Sequence, residues 1–208
     1  MKTGIIVAMD SEYEALRAAG VSGVVKSGIG KVNAARATTE LILKEKPDYI
    51  ISSGLAGGIS PVLKVGDFVI GNQTAYYDVW CGEGNQKGQV QGFPQRYCAD
   101  ADLLSIVRNL RMDGIRLHEG LICTGDRFIT TYEEEETIKK IYPDALACEM
   151  ESCAIAQVCY IYSIPFLSFR AISDVLVPGQ SHQESYDGFM ANLNANSFSM
   201  VRLLLESL

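Results

Sequence analysis

The chain has 208 residues, 48% of them hydrophobic and 21% charged, and a net charge of −7. This is a length that one core can span and a composition that excludes disorder, so one domain over residues 1–208 is expected. The acidic balance argues against nucleic acid, which calls for a lysine and arginine surplus, and gives no attraction to anionic lipid.

The opening run MKTGIIVAMDSEYEAL is too short for a membrane span and meets Asp10, Glu12 and Glu14 at once. It reads as a buried strand from Ile5 to Met9, with neither signal peptide nor membrane partner, in a cytoplasmic protein. Ser11-Glu12-Tyr13-Glu14 has capping-box form and opens a helix. Val21 to Ile29 reads as extended, and Gly30 begins a helix through Lys44. Tyr49 to Ser53 is a β-prone run ending in Gly54-Leu55-Ala56-Gly57-Gly58, a glycine-rich turn. Val65 to Ala75 is a further strand, and Tyr76 to Tyr97, without period, is a long loop. Asp100 to Met112 is expected as a helix, Leu117 to Thr124 as a strand and Thr131 to Tyr142 as a helix. An amphipathic helix over Glu149 to Tyr162 leads to a buried strand over Pro165 to Ile172. Tyr186 to Leu205 closes the chain as one helix. Such alternation points to an α/β fold with a mostly parallel sheet covered on both faces.

Several conspicuous features have plain structural readings. The run Glu133 to Glu136 followed by Lys139 and Lys140 suits a helix macrodipole. The six cysteines include no C-x-x-C pair, and His118 and His182 lie far apart, so reduced thiols and no metal site are expected. Gly28-x-Gly30 is followed by Asn33 where a dinucleotide fingerprint has its third glycine, and no phosphate-binding G-x-x-x-x-G-K-[ST] loop exists. With His118 at a strand start and His182 in a Pro/Gly loop, no Ser-His-acid set emerges.

Ligands of parallel sheets bind beyond the carboxyl ends of strands. There this chain brings Glu12, Ser27 to Lys31, Gly54 to Gly58, Gly125 to Ile129, and finally Arg170 and Asp174. Glu12 also reads as an ordinary first-turn acid, and Asp174 as a structural partner of Arg170. Arg170 lies in an apolar run where an unpaired charge is expensive, so it requires a carboxylate or a ligand. Glu149 and Glu151, two apart on the expected helix, point roughly 200° apart, which lets only one face the site.

The motifs AMDSE (8–12), KSGIGKVNAA (26–35), SGLAGGI (53–59), TGDRFI (124–129), CEMES (148–152) and FRAISD (169–174) together resemble the nucleosidase branch of the nucleoside phosphorylase superfamily. They are similar to those of bacterial 5′-methylthioadenosine/S-adenosylhomocysteine nucleosidases and span nearly the whole chain. The resemblance implies a three-layer sandwich with a mixed, mostly parallel central sheet, a small-molecule nucleoside substrate, no cofactor and a homodimer. It assigns Asp174, helped by Ser173, as the acid that protonates the purine, Glu12 as the base that activates water, and Arg170 as a neighbour of that water. It places Met150 and Glu151 on the ribose, Phe128 and Ile129 on the base, and Ile29, Ala56 and Gly57 in the pocket wall. Cleaving an N-glycosidic bond builds an oxocarbenium-like sugar, which carboxylates stabilise, while the leaving purine needs a proton.

The chain departs from the branch in three places. It passes from Ala18 to Gly23 almost directly, without the usual additional hairpin, which shortens the N-terminal part of the sheet. It carries Leu55 where these enzymes usually have a serine, and it lacks their Phe-Gly-Tyr pattern in the loop from Asp78 to Asn85. Phosphorolysis would call for arginines in the first and glycine loops, which hold none. A futalosine-type hydrolase or a non-catalytic nucleoside-binding protein are the other readings.

Overall fold

The computed structural model describes residues 2–175, 182–193 and 198–208. Its elements are β1 (Thr3–Val7), α1 (Asp10–Ala18), β2 (Val24–Lys26), α2 (Lys31–Glu45), β3 (Tyr49–Gly58), β4 (Phe68–Tyr76), β5 (Arg96–Cys98), α3 (Ala101–Val107), β6 (Leu117–Thr124), α4 (Tyr132–Ile141), β7 (Ala145–Glu149), α5 (Ser152–Tyr162), β8 (Phe166–Val175), α6 (His182–Ala191) and α7 (Ser199–Glu206).

The strands make one mixed sheet in the order β2-β1-β3-β7-β6-β4-β5, with β8 pairing both β3 and β4. The β1–β2, β1–β3, β3–β8, β4–β6 and β6–β7 pairs are parallel, whereas β3–β7, β4–β5 and β4–β8 are antiparallel. The pairings among β3, β8, β4, β6 and β7 close a ring. Ala56, Ile172, Val69, Ile122 and Ala147, one residue from each of these strands, form a shared apolar cluster. Successive residues of β1 separate into different cores, as the period of two requires. Ile5 and Val7 join Leu16 of α1, Val107 of α3 and Leu204 of α7, whereas Ile6 joins Leu41 of α2 and Ile155 of α5.

The long β3–β8 ladder positions the site. It runs in register from Ile50 opposite Phe166 to Ala56 opposite Ile172, then slips so that Gly57 faces Asp174. Ser173 is the extra residue of a β-bulge, a feature that turns the following side chain to the other face of a strand.

Several sequence expectations are corrected here. Gly54 to Gly58 is no turn but the last half of β3, because pairing to β8 throughout and to β7 at Gly57 and Gly58 holds the segment in the sheet. Ala145 to Glu149 is a strand that periodicity did not reveal. It is too short to show a period, and its ladders to β6 and β3 hold it extended. Accordingly α5 begins at Ser152, not at Glu149. Arg96–Cys98, at the end of the expected loop, pairs with β4. The helix expected over Asp100 to Met112 stops at Val107, with Asp100 capping it by accepting from Asp102 N and Leu103 N at 3.0 and 3.1 Å. The expected extended run from Val21 to Ile29 is a strand only over Val24–Lys26. The α1 cap uses Glu12 rather than Glu14, folded back onto Met9 N. The single closing helix is two helices, α6 and α7, and residues 194–197 of it lie outside the described residues. His182 opens α6, whereas the Pro178-Gly179 pair before it also lies outside them. Among the described residues no helix is long and apolar enough to cross a membrane.

Candidate active site

A cavity of about 410 Å³ lies where β1, β3, β6, β7 and β8 end, within the range of small-molecule sites. Glu12, Glu149, Glu151 and Asp174 all border it. Each is buried, at 2%, 8%, 5% and 2% exposure, which is costly for carboxylates unless they are paired or hydrogen-bonded. The cavity's partners account for that.

Glu12 stands in the first turn of α1. Its Oε2 accepts from Ala8 N and Met9 N, and its Oε1 from Leu55 N, all at 2.9 Å. Burial raises its pKa above the ordinary carboxylate value, against the opposing pull of Arg170 and the three N–H donors. The backbone beneath it must be glycine. Gly54 has φ +127°, and a Cβ there would lie 2.5 Å from Glu12 Oε1 and 2.7 Å from Arg170 Nη1.

Arg170 is 1% exposed and does not border the cavity; it lies beneath it. Its Nη2 pairs with Glu149 Oε2 at 2.7 Å and lies 3.8 Å from Glu151 Oε2. Two buried serines receive it, Nη2 donating to Ser52 Oγ at 2.7 Å and to Ser152 Oγ at 3.0 Å, and Ser152 in turn meets Ser168 at 2.8 Å. Glu149 in turn accepts from Thr124 Oγ1 and, at 2.9 and 2.8 Å, from the N–H groups of Glu151 and Ser152 that open α5. One buried carboxylate thus neutralises the arginine and caps the helix that carries Glu151. Glu151 Oε1 accepts from Gly30 N at 2.9 Å. Burial, reinforced by Glu149, pushes its pKa up to about 7 although Arg170 opposes the shift.

On the other wall, Asp174 follows the bulge and accepts from Ser173 Oγ at 2.6 Å. Close packing against β3 brings its Oδ2 within 3.1 Å of where a Cβ on Gly57 would be. Phe128 is 40% exposed at the cavity edge, and its ring meets Tyr186 of α6 edge-on at a centroid distance of 5.3 Å. The site therefore combines an aromatic and aliphatic slot, suited to a flat ring, with carboxylates placed to receive hydroxyls, a proton or developing positive charge. Among the described residues no group of three or more His, Cys, Asp or Glu side chains is placed to hold a metal ion.

A model of the phosphorylase superfamily matches residues 18–208. A 5′-methylthioadenosine/S-adenosylhomocysteine nucleosidase of Geobacillus thermodenitrificans is 39% identical over 204 residues, which cover 96% of this chain and 86% of the relative. The chain belongs to the nucleosidase branch of the phosphorylase superfamily. Among solved structures, the nucleosidase of that name from Neisseria meningitidis in complex with methylthio-immucillin-A superimposes with a TM-score of 0.91 at 36% identity, covering 100% of both chains. The futalosine hydrolase of Helicobacter pylori superimposes almost as well, at 0.90, but with 25% identity, covering 100% of this chain and 98% of that one. Within the superfamily, backbone shape alone does not separate these two; sequence does.

The residues singled out from the superfamily motifs converge as a group. Glu12, Ile29, Ala56, Gly57, Phe128, Ile129, Met150, Glu151, Ser173 and Asp174 border one cavity, and Arg170 lies directly below. The geometric expectation for Glu149 and Glu151 is corrected: β7 ends at Glu149, so they are not on one helix, and both turn inward toward Arg170. Leu55, in place of the usual serine, contributes its N–H to Glu12 while its side chain joins the core. Sequence reasoning missed Met9, Arg127, Cys148, Gln183 and Tyr186 as lining residues. The first three lie inside recognised motifs and were within reach. Gln183 and Tyr186 were not, because they enter on α6, whose packing against β8 no local pattern announces.

Proposed function

We propose that the chain is an N-ribosyl hydrolase that cleaves methylthioadenosine- or S-adenosylhomocysteine-type nucleosides into adenine and the ribose moiety. The observation that carries this reading is the convergence of Glu12, Glu151 and Asp174, all buried, on one cavity with an aromatic edge. The names of relatives 36–39% identical over nearly the whole chain support the substrate class.

In this mechanism the purine lies against Phe128 and Ile129. Asp174, steadied by Ser173, delivers a proton to N7, and the C1′–N9 electron pair leaves with the base. Glu151 accepts from the ribose hydroxyls, while the carboxylates below the sugar stabilise the developing cation. Glu12 takes one proton from the water whose oxygen bonds to C1′, so water is split between sugar and base. Arg170 acts from below the cavity, holding Glu149 and the carboxylates of Glu12 and Glu151 in place. Phosphorolysis is disfavoured because the arginine under the site is already occupied by Glu149 and by Ser52 and Ser152.

Further parts of the reading are a single domain over 1–208, a three-layer arrangement, a homodimer and a cytoplasmic location. The division of β1 side chains between two cores supports the layers. Exposed Val32, Tyr160 and Ile161 offer apolar surface for a second copy. Six unpaired cysteines suit a reducing compartment. The direct test is chromatographic detection of free adenine from methylthioadenosine and S-adenosylhomocysteine, with and without phosphate. Release that does not depend on phosphate is expected; release only with phosphate, or none, refutes the reading.

A further inference from the structure

Two residues of the recognised motifs, Lys31 and Asp126, take no part in the chemistry above, yet with Asp78 they form a closed ring beside the cavity. Lys31 Nζ donates to Asp78 Oδ1 and Oδ2 at 2.8 and 2.7 Å and lies 3.8 Å from Asp126 Oδ2. The main-chain N–H of Lys31 donates to Asp126 Oδ1 at 2.8 Å, and that of Asp126 donates to Asp78 Oδ2 at 2.9 Å. The ammonium also sits 5.4 Å from the centroid of the Tyr76 ring. Three separate segments are joined here: the loop entering α2, the chain leaving β4 and the turn leaving β6.

Two of those segments carry walls of the cavity. Ile29 and Gly30 immediately precede Lys31, and Phe128 and Ile129 closely follow Asp126. Their approach is tight: Gly30 has φ +94°, and a Cβ on it would lie 3.0 Å from Asp126 Oδ1. The proton-transfer groups and Arg170 have other anchors, whereas Glu151, placed on the ribose, accepts from Gly30 N beside the ring at 2.9 Å. Glu12 hangs from Ala8, Met9 and Leu55, Arg170 from Glu149 and the serines, and Asp174 from Ser173. The side chains of Lys31, Asp78 and Asp126 are 22%, 28% and 46% exposed, so their pairing adds little to global stability. Its effect is geometric.

We propose that Lys31, Asp78 and Asp126 are positioning residues that set the separation of the Ile29 and Phe128–Ile129 walls and thereby the affinity for the purine ring, not the rate of cleavage. The inference rests on reading the cavity as a nucleoside site. Its test uses adenine as probe, by calorimetry, alongside KM and kcat for methylthioadenosine. Lys31→Met and Asp78→Asn are expected to weaken adenine binding about 10-fold and to raise KM about as much, with kcat within about two-fold of wild type. Lys31→Arg restores most of the loss, and the double variant is no worse than Lys31→Met, since the partners act as a unit. Should Lys31→Met fold poorly, Asp126→Asn removes only the anionic acceptor and is judged by the same ratios. Unchanged adenine affinity in a variant with wild-type melting temperature overturns the proposal, as does a loss confined to kcat. A wild-type protein that binds adenine without releasing it from nucleoside refutes the enzymatic reading alone, and adenine affinity still decides the clamp.

Discussion

Substituting Gly54 by alanine tests whether the Glu12–Arg170 arrangement is the heart of the site. At φ +127° an alanine carries backbone strain of about 1–3 kcal/mol. Its Cβ would also lie 2.5 Å from Glu12 Oε1 and 2.7 Å from Arg170 Nη1. Neither neighbour swings away freely: the Glu12 carboxylate is held by three N–H groups at 2.9 Å, and Arg170 by Glu149 and the serines. Moving the carboxylate enough to clear the methyl breaks its bond from Leu55 N, about 1.5–3 kcal/mol for a charged acceptor. A total near 4 kcal/mol lowers the melting temperature by about 10 °C in a domain of this size. Displacing a proposed base by about 1 Å lowers kcat on the order of 100-fold. Gly66→Ala is the matched control. It shares a positive φ of +88° but meets nothing within 4 Å, so it should lose stability through strain alone and keep full activity. Scanning calorimetry and adenine release read both variants. Wild-type kcat in Gly54→Ala would refute the argument, as would equal losses of activity in the two.

Asp174→Asn is expected to lower kcat by about 10²–10⁴-fold, the usual worth of a general acid, while adenine affinity measured by calorimetry stays within a few-fold; turnover near wild type would remove Asp174 from its role. Arg170→Met strips Glu149 of its 2.7 Å partner and leaves a buried charge, which costs about 3–5 kcal/mol and is read as a melting temperature lower by about 10 °C. In its proposed role Glu12 must be ionised, and burial raises its pKa, so the acidic limb of kcat/KM lies above the ordinary 4.5 and activity falls as pH drops through it. Glu151, pushed up to about 7 in the fold from an ordinary 4.5, binds its proton more tightly folded than unfolded. Its contribution to stability is fully present below 4.5 and lost as pH rises through about 7. The melting temperature of wild type therefore falls more between pH 5 and 8 than that of Glu151→Gln, and equal slopes would contradict this.

The sequence carried the outline of the fold in its long apolar runs, since β1, α2, β6, α4 and β8 follow the periodicities that announced them. It misled where pairing partners, rather than local preference, decide conformation. Gly54 to Gly58 looks like a turn to any local reading, yet β8 along its length, and β7 at Gly57 and Gly58, hold it as strand. Ala145 to Glu149 has too few residues to show a period. That second error propagated: with β7 unseen, Glu149 was placed on a helix with Glu151, and its double task of holding Arg170 and capping α5 was invisible. The demand that Arg170 find a carboxylate was legible, because an arginine in an apolar run needs one; which carboxylate was not, since Asp174 and Glu149 both qualify in one dimension. The Lys31 ring was out of reach for the same reason, its three members being spread over Lys31, Asp78 and Asp126 with no spacing that links them.

The bulge at Ser173 bears on how this site tolerates insertion and deletion. Ile172 shares a face with Val69, Ile122 and Ala147 inside the strand ring, and regular alternation would place Asp174 beside them. The extra residue turns Asp174 outward instead, opposite Gly57 and next to Cys148. Deleting Ser173 would remove the bulge and set Asp174 directly after Ile172, where regular alternation again points it outward opposite Gly57. Face is decided here by count and bulge together: losing the extra residue spares the orientation of the carboxylate, whereas smoothing the bulge at unchanged length would turn it into the apolar interior.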